Sequence, residues 1–395
     1  MLTLVALGLF LGMTLWFSAT AAAPAIAAEF SITGAGLAWL TMAVQGGFVA
    51  GTLVSALLNH ADVVNARYLV AWGCLAGAIA NAAIPFAPSG AVIVLLRTAT
   101  GVALAFVYPP GLKIAAGWFL NRRGTALGIV VGALTLGSAF PHLMAWAAAD
   151  LPWRSMLCVS SALAIAGGAI VALGVRDGPY VSASAPFDPR AVGQVVSNRG
   201  VRLATLGYLG HMWELYAMWA WMPAFAAASI AAAGGVGGVG SVGRTSGATS
   251  SLVAFVAIAS GAVGCVMAGR TADAWGKARI AGAAMVVSGS CALAAGFAFG
   301  RPLPVLLIFA VCWGFSIVAD SAQFSALVAE HSPRTHVGTA LTLQICLGFL
   351  LTMISMRLLP VVASATGWQW AFLLLVPGPV LGAVAMQRLT RVPAA

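Results

Sequence analysis

The sequence predicts an all-α polytopic membrane protein, with twelve transmembrane helices in two pseudo-symmetric six-helix bundles. Three observations carry that expectation. Of 395 residues, 61% are hydrophobic and only 7% charged, against roughly a quarter charged in an ordinary soluble domain. The apolar residues fall into runs long enough to cross a bilayer, which takes about 20 residues per helix. Short motifs in the first half return in the second half at six-helix spacing.

The charge deficit excludes a soluble enzyme, a disordered regulator and a coiled coil. The formal charge of +10 does not make a nucleic-acid binder, because 19 Lys and Arg spread over the chain never form a basic stripe. An outer-membrane barrel would show ten-residue segments of alternating polarity, and these runs do not alternate. A backbone in lipid must satisfy its own hydrogen bonds, so continuous apolar runs are helices.

The spans are expected in order as follows. The first covers 3–27; a secretory leader cleaved near Ala25-Ile26-Ala27 is the competing reading, but no basic residues precede the apolar run and its length suffices to span. The second, 34–58, runs into L-N-H-A-D-V-V-N-A-R (58–67), followed by a third at 68–88. The fourth, 90–112, holds Arg97 and ends at Tyr108-Pro109-Pro110 and Lys113, and the fifth, 124–148, opens on Gly124-Thr125-Ala126-Leu127. After the sixth, 153–175, comes the one long polar connection, Arg176 to Arg202. The second set is expected at 203–229, 250–269, 279–299, 303–327, 337–361 and 368–387, its fifth member opening on Gly338-Thr339-Ala340-Leu341. This divides the chain into an N-terminal bundle at 1–176, a linker at 177–200 and a C-terminal bundle at 201–395. The Gly-rich stretch 234–247 lacks a lysine motif for a phosphate cradle and is expected to be an external linker.

Orientation follows from the basic residues. Fourteen Lys and Arg fall on the side of both termini (67, 113, 122, 123, 176, 190, 199, 202, 270, 277, 279, 334, 388 and 391), against Arg154, Arg244 and Arg301 opposite. Both termini are expected in the cytoplasm, with the protein integral to the plasma or inner membrane. Cys74, Cys158, Cys265, Cys291, Cys312 and Cys346 all lie in expected spans without a C-x-x-C pair, so packing is expected and neither disulfides nor a metal site. No cofactor is implied, and neither G-x-S-x-G nor H-E-x-x-H occurs to suggest a membrane-embedded enzyme.

The halves correspond further. Met13, Phe17 and Pro24 fall opposite Met212, Tyr216 and Pro223, and the turn at 58–67 has a counterpart in G-R-T-A-D-A-W-G-K-A-R (269–279). Gly124, Gly128 and Gly132, and likewise Gly338, Thr342 and Cys346, recur every four residues, the spacing that lets helix backbones approach. Duplication of this kind gives transporters two bundles that rock about a midplane site.

A charge inside the membrane costs about 2.5–3.5 kcal/mol even on the lenient insertion scale, so one that is kept has a task. Glu214 lies mid-span with His211 three residues earlier on the same helical face. Burial disfavours the charged form of a carboxylate, which suits a group that takes up and releases a proton. Asp320 lies in the tenth span with Gln323 one turn on, and these acids and His211 are the candidate proton-coupling residues. Arg97, Trp213, Tyr216 and Gln344 are the candidate solute-binding residues, while Arg357 is placed to snorkel. His142, beside Pro141, has a packing reading as its alternative, and Trp219 and Trp221 are expected in an interfacial belt.

The acid-containing turns resemble the loop signature G-x-x-x-D-x-x-G-[RK] of the major facilitator superfamily (MFS). Gly269, Asp273, Gly276 and Lys277 meet it; the first half keeps Asp62 and Arg67 but has Leu58 and Asn65 in place of the glycines, Asn tolerating the left-handed conformation the turn needs. Arg97-x-x-x-Gly101 resembles the family's R-x-x-x-G element. The resemblance implies that spans one, four, seven and ten line a central cavity, and that the loop acids and bases latch helices in one conformation and release them in another. It implies a secondary active transporter that moves a small organic solute by alternating access, coupled to protons, as a monomer and without nucleic acid. The exporter element G-P-x-x-G-G is not met by 137–142, and the spans at 34–58 and 250–269 lack the Arg residues of the nitrate branch. A non-transporting receptor of the same fold, or an exchanger without proton coupling, stays open at this point.

Overall fold

The computed structural model describes residues 1–32, 36–119, 123–180, 187–234 and 242–393, with the side chains of 61, 62, 123 and 242–246 left aside. Among the described residues the chain is helical throughout and has no strand. Eleven helices are long and apolar enough to cross a membrane: Trp39–Leu57, Ala66–Phe86, Gly90–Ala116, Gly124–Ala147, Trp153–Gly174, Arg199–Ala233, Gly247–Trp275, Lys277–Ala298, Leu303–His331, Arg334–Thr366 and Trp368–Leu389. The first span completes the twelve in pieces: Leu2–Met13, Ser18–Ala21 and Ala23–Phe30. The expected spans are all present, and the seventh, eighth and eleventh run past their expected ends.

Three spans are interrupted at mid-length. The first unwinds over 14–17, the fourth over 105–107 between Gly90–Leu104 and Tyr108–Ala116, and the tenth at Asp320 between Leu303–Ala319 and Ser321–His331. The fourth and tenth are repeats in detail. A side chain at Gly101 would run into the carbonyl of Val44 on the second span, and one at Gly314 into the carbonyl of Ala257 on the eighth. Each helix breaks about one to two turns later, over 105–107 and at Asp320. Close backbone packing is what holds helices together in lipid, where apolar side chains gain nothing by leaving it.

The halves meet along two seams. Between the fifth and eighth spans the contact is backbone to backbone: Cβ atoms at Gly128 and Gly132 would stand 2.7 Å from the carbonyl of Cys265 and 3.0 Å from that of Ala262, and Gly124 lies against Gly269. The four-residue glycine spacing of the fifth span is therefore a crossing between halves. The second and eleventh spans meet instead through side chains, Phe48 on Phe349 with ring centroids 4.5 Å apart and Gly46 under Met353. Between the sixth and seventh spans the chain forms a short turn, Pro189–Ala191, and a helix, Val192–Ser197, tied down where the Asp188 N–H donates to Thr339 at 2.9 Å. The Gly-rich stretch expected to be a linker lies, over 235–241, outside the described residues. No cysteine is in a disulfide among the described residues.

Candidate functional site

Arg97 sits on the fourth span with none of its surface exposed. Its guanidinium donates to the carbonyls of Leu15 (2.9 Å), Leu40 (3.0 Å) and Trp16, and to the Ser18 hydroxyl at 3.3 Å. Unwinding the first span leaves carbonyls without intrahelical partners at the C-terminal end of Leu2–Met13, where the helix dipole favours a cation. Ser18 in turn donates to Asn81 (2.7 Å), whose amide reaches Leu157 and Ser161 on the sixth span at 3.0 and 3.1 Å. The guanidinium is thus committed to the broken helix, a role that sequence spacing does not reveal.

The second bundle carries a buried acid of its own. Glu214 is 1% exposed. One of its oxygens accepts from the Trp313 indole at 2.7 Å and the other from the Ser288 hydroxyl at 3.0 Å, joining spans seven, nine and ten. His211 shares the face of Glu214 but does not pair with it. Its Nδ1 stands 2.8 Å from Oδ1 of Asp320 and its Nε2 is 2.9 Å from the Ser321 hydroxyl. The break in the tenth span presents both partners at the place where the seventh passes, so His211 and Asp320 form one buried unit and Glu214 another.

Aromatic rings from both halves meet at the centre. Trp16 lies 5.2 Å from Phe48, 5.8 Å from Tyr216 and 5.7 Å from Phe349; Phe17 stacks on Tyr216 at 6.3 Å and meets Trp219 edge-on at 5.9 Å. Tyr216 therefore lies within this cluster. Trp213 is not, since its indole donates to the Leu374 carbonyl (2.9 Å) and its ring packs on the twelfth span at Gly378. Gln344 is buried in the eleventh span with its amide nitrogen 3.5 Å from the Phe324 carbonyl. Trp219 and Trp221 depart from the interfacial expectation: both are buried, Trp219 in the central cluster and Trp221 donating to the Met356 carbonyl at 2.9 Å. A stripe of tryptophans on one sequence segment reads alike whether it faces lipid or a partner bundle. Arg357 is exposed.

At the basic face the signature residues divide their work. Gly276 caps the ninth span at φ +91°, a conformation that favours glycine. In the first half the left-handed residue is Asn59 (φ +50°), not Asn65; Asn65 (φ −57°) instead caps the third span, accepting from the Arg67 N–H at 3.0 Å. Lys277 pairs with Glu330, and Arg67 donates to the Val175 carbonyl at 3.3 Å, so each base ties loops within its own half. Asp273 reaches across: its carboxylate lies where a side chain on Gly124 would be, at the start of the fifth span, beside the crossing of Gly269 with Gly124. A carboxylate at a helix N-terminus is held by the helix dipole and the unpaired N–H groups there. The side chain of Asp62 lies outside the described residues. No group of three or more metal-ligating side chains occurs among the described residues.

Two bundles of six spans, broken helices at the centre and a basic loop signature repeated in each half define a membrane transporter fold. The sequence pattern of the Major Facilitator Superfamily matches residues 5–263 and 240–395, and the chain belongs to that family, whose members are transporters and not enzymes. It is 29% identical over 173 residues to a hexuronate transporter of Escherichia coli (strain K12), and equally to that of Escherichia coli O157:H7. That stretch is 41% of this chain and spans 38% of the length of those relatives. The crystal structure of the human organic anion transporter MFSD10 (TETRAN) superposes with a TM-score of 0.67 at 16% identity, covering 98% of both chains, which shows a shared fold.

Proposed function

We propose that the protein is a proton-coupled secondary transporter that carries a small organic solute by alternating access between the two bundles. The observation that carries this reading is the buried His211–Asp320 contact at the break of the tenth span, 2.8 Å across and sealed from water. A histidine and a carboxylate in contact can share or exchange a proton, and a proton gained or lost there changes the charge that spans seven and ten must bury. Glu214, held only by two neutral donors, is the second protonatable group. The similarity to hexuronate transporters supports an organic solute over an inorganic ion. Tyr216 and Gln344 stay with the solute site. Arg97 is assigned to holding the first span in its broken form, and Trp213 to packing.

The latch reading rests on Asp273 against the start of the fifth span, supported by Gly269, Gly276 and Lys277; Asp62 and Arg67 are its first-half counterparts. The basic face and both termini are cytoplasmic on the charge bias, and the protein works as a monomer. Domain limits of 1–176, 177–200 and 201–395 follow the connection between the sixth and seventh spans.

Reconstitution into proteoliposomes tests the coupling. Asp320→Asn and Glu214→Gln are each expected to abolish proton-driven accumulation while sparing counterflow of the solute. Full concentrative uptake in both variants refutes proton coupling through these groups, and ligand binding with no counterflow in the unaltered protein refutes transport itself.

A further inference from the structure

Six side-chain atoms at the centre, on four residues no more than 4% exposed, have no hydrogen-bond partner among the described residues: Nε1 of Trp16, Oε1 and Nε2 of Gln45, both ring nitrogens of His142, and Nε1 of Trp219. They converge on the aromatic cluster. Trp16 and Trp219 belong to it, and the His142 ring is 6.2 Å from Phe17. Gln45 shares a face of the second span with Thr41, which bonds Thr20 of the first span at 2.7 Å, and with Phe48, which packs on Trp16. Buried polar groups in folded proteins are nearly always paired, so a group of unpaired ones at a transporter's centre marks where something else binds.

The chemistry of these atoms narrows what that is. Two indole N–H groups only donate; the amide and the imidazole both donate and accept. None carries a fixed charge. The charged groups nearby are committed, Arg97 to carbonyls, Glu214 to Trp313 and Ser288, and Asp320 to His211. An organic cation finds no free carboxylate here. Hydroxyl groups, which donate and accept at once, match the set, and the flat rings of Trp16, Tyr216 and Phe349 suit the C–H faces of a saturated ring. We propose that the central cluster binds a polyhydroxylated ring compound, a sugar or a sugar monoacid, through Gln45, His142, Trp16 and Trp219. The rings now touching across the halves would part to admit it, and this step rests on the alternating-access reading above.

The test is thermal unfolding of the detergent-purified full chain with glucose, glucuronate, hexanoate or tetraethylammonium. A ligand that binds only the folded state raises the midpoint. Glucose or glucuronate is expected to do so, and which of the two separates a neutral sugar from a sugar acid. Hexanoate and tetraethylammonium are expected to do nothing. Gln45→Leu and His142→Phe are expected to weaken the effective probe about tenfold or more, the usual result of leaving a ligand hydroxyl unpaired. Both variants should unfold no earlier than the unaltered protein without ligand, because the lost groups have no partner there; a merely structural role predicts earlier unfolding. The proposal is overturned if neither sugar shifts the midpoint, if both variants keep the full shift, or if hexanoate or tetraethylammonium shifts it. Counterflow of the effective probe then separates the two readings: a probe that binds at Gln45 and His142 but is not exchanged refutes transport and leaves this site standing.

Discussion

Replacing Arg97 separates an anchor for solute from an anchor for the fold. In Arg97→Met the Trp16 carbonyl, for which the guanidinium is the one partner among the described residues, is left buried and unpaired. Such a group costs about 1–3 kcal/mol. The Leu15 and Leu40 carbonyls keep other acceptor contacts but each loses a bond to a charged donor, worth about 1.5–3 kcal/mol. The sum is roughly 4–9 kcal/mol, a large part of the 5–15 kcal/mol typical of a folded protein. Spread over the unfolding entropy of a chain this long, that is a fall of roughly 5–10 °C in the unfolding midpoint. Arg97→Lys should recover little of it, since one ammonium cannot fork to three carbonyls on two spans. The assay is the midpoint of purified protein in detergent, with chromatographic monodispersity as a check. A variant that keeps the original midpoint and loses only solute binding refutes the argument and returns Arg97 to the solute site.

Further expectations follow from the same geometry. Gly314→Val should prevent spans eight and ten from packing, because the new side chain meets the Ala257 carbonyl, and is expected to collapse the yield of monodisperse protein; normal yield contradicts the backbone contact. Asp273→Asn removes a carboxylate from the start of the fifth span, an interaction worth about 0.3–1 kcal/mol, so the basic face should open roughly two- to fivefold more often. Alkylation of a protein retaining Cys346 as its one cysteine, by a water-soluble maleimide, reads this, and an unchanged rate removes the latch. At the opposite end Glu29 accepts from Arg154 and, at 3.1 Å, from Trp153. A charge pair this exposed contributes little to stability, so Glu29→Gln is expected to lower the unfolding midpoint by no more than about 1 °C. A fall of several degrees contradicts that reading.

The sequence by itself determined the architecture. A lipid solvent admits only long helices, so composition and run length gave the twelve spans, and the repeated Gly-Thr-Ala-Leu and loop signatures gave the two halves. It also singled out Arg97, His211, Glu214 and Asp320, because charges are rare inside a membrane and stand out in any reading. Partners were a different matter. Helical spacing put His211 beside Glu214, whereas a break in another helix turned it to Asp320. Arg97 was a candidate for the solute site until the unwound first span offered it carbonyls, and backbone carbonyls leave no mark in a sequence. The left-handed turn expected at Asn65 falls instead at Asn59, because turn geometry depends on where the helix before it ends. Gln45 and Trp16 carried no sequence signal at all. What makes them candidates is that folding buried them without a partner, and only the assembled bundles decide that.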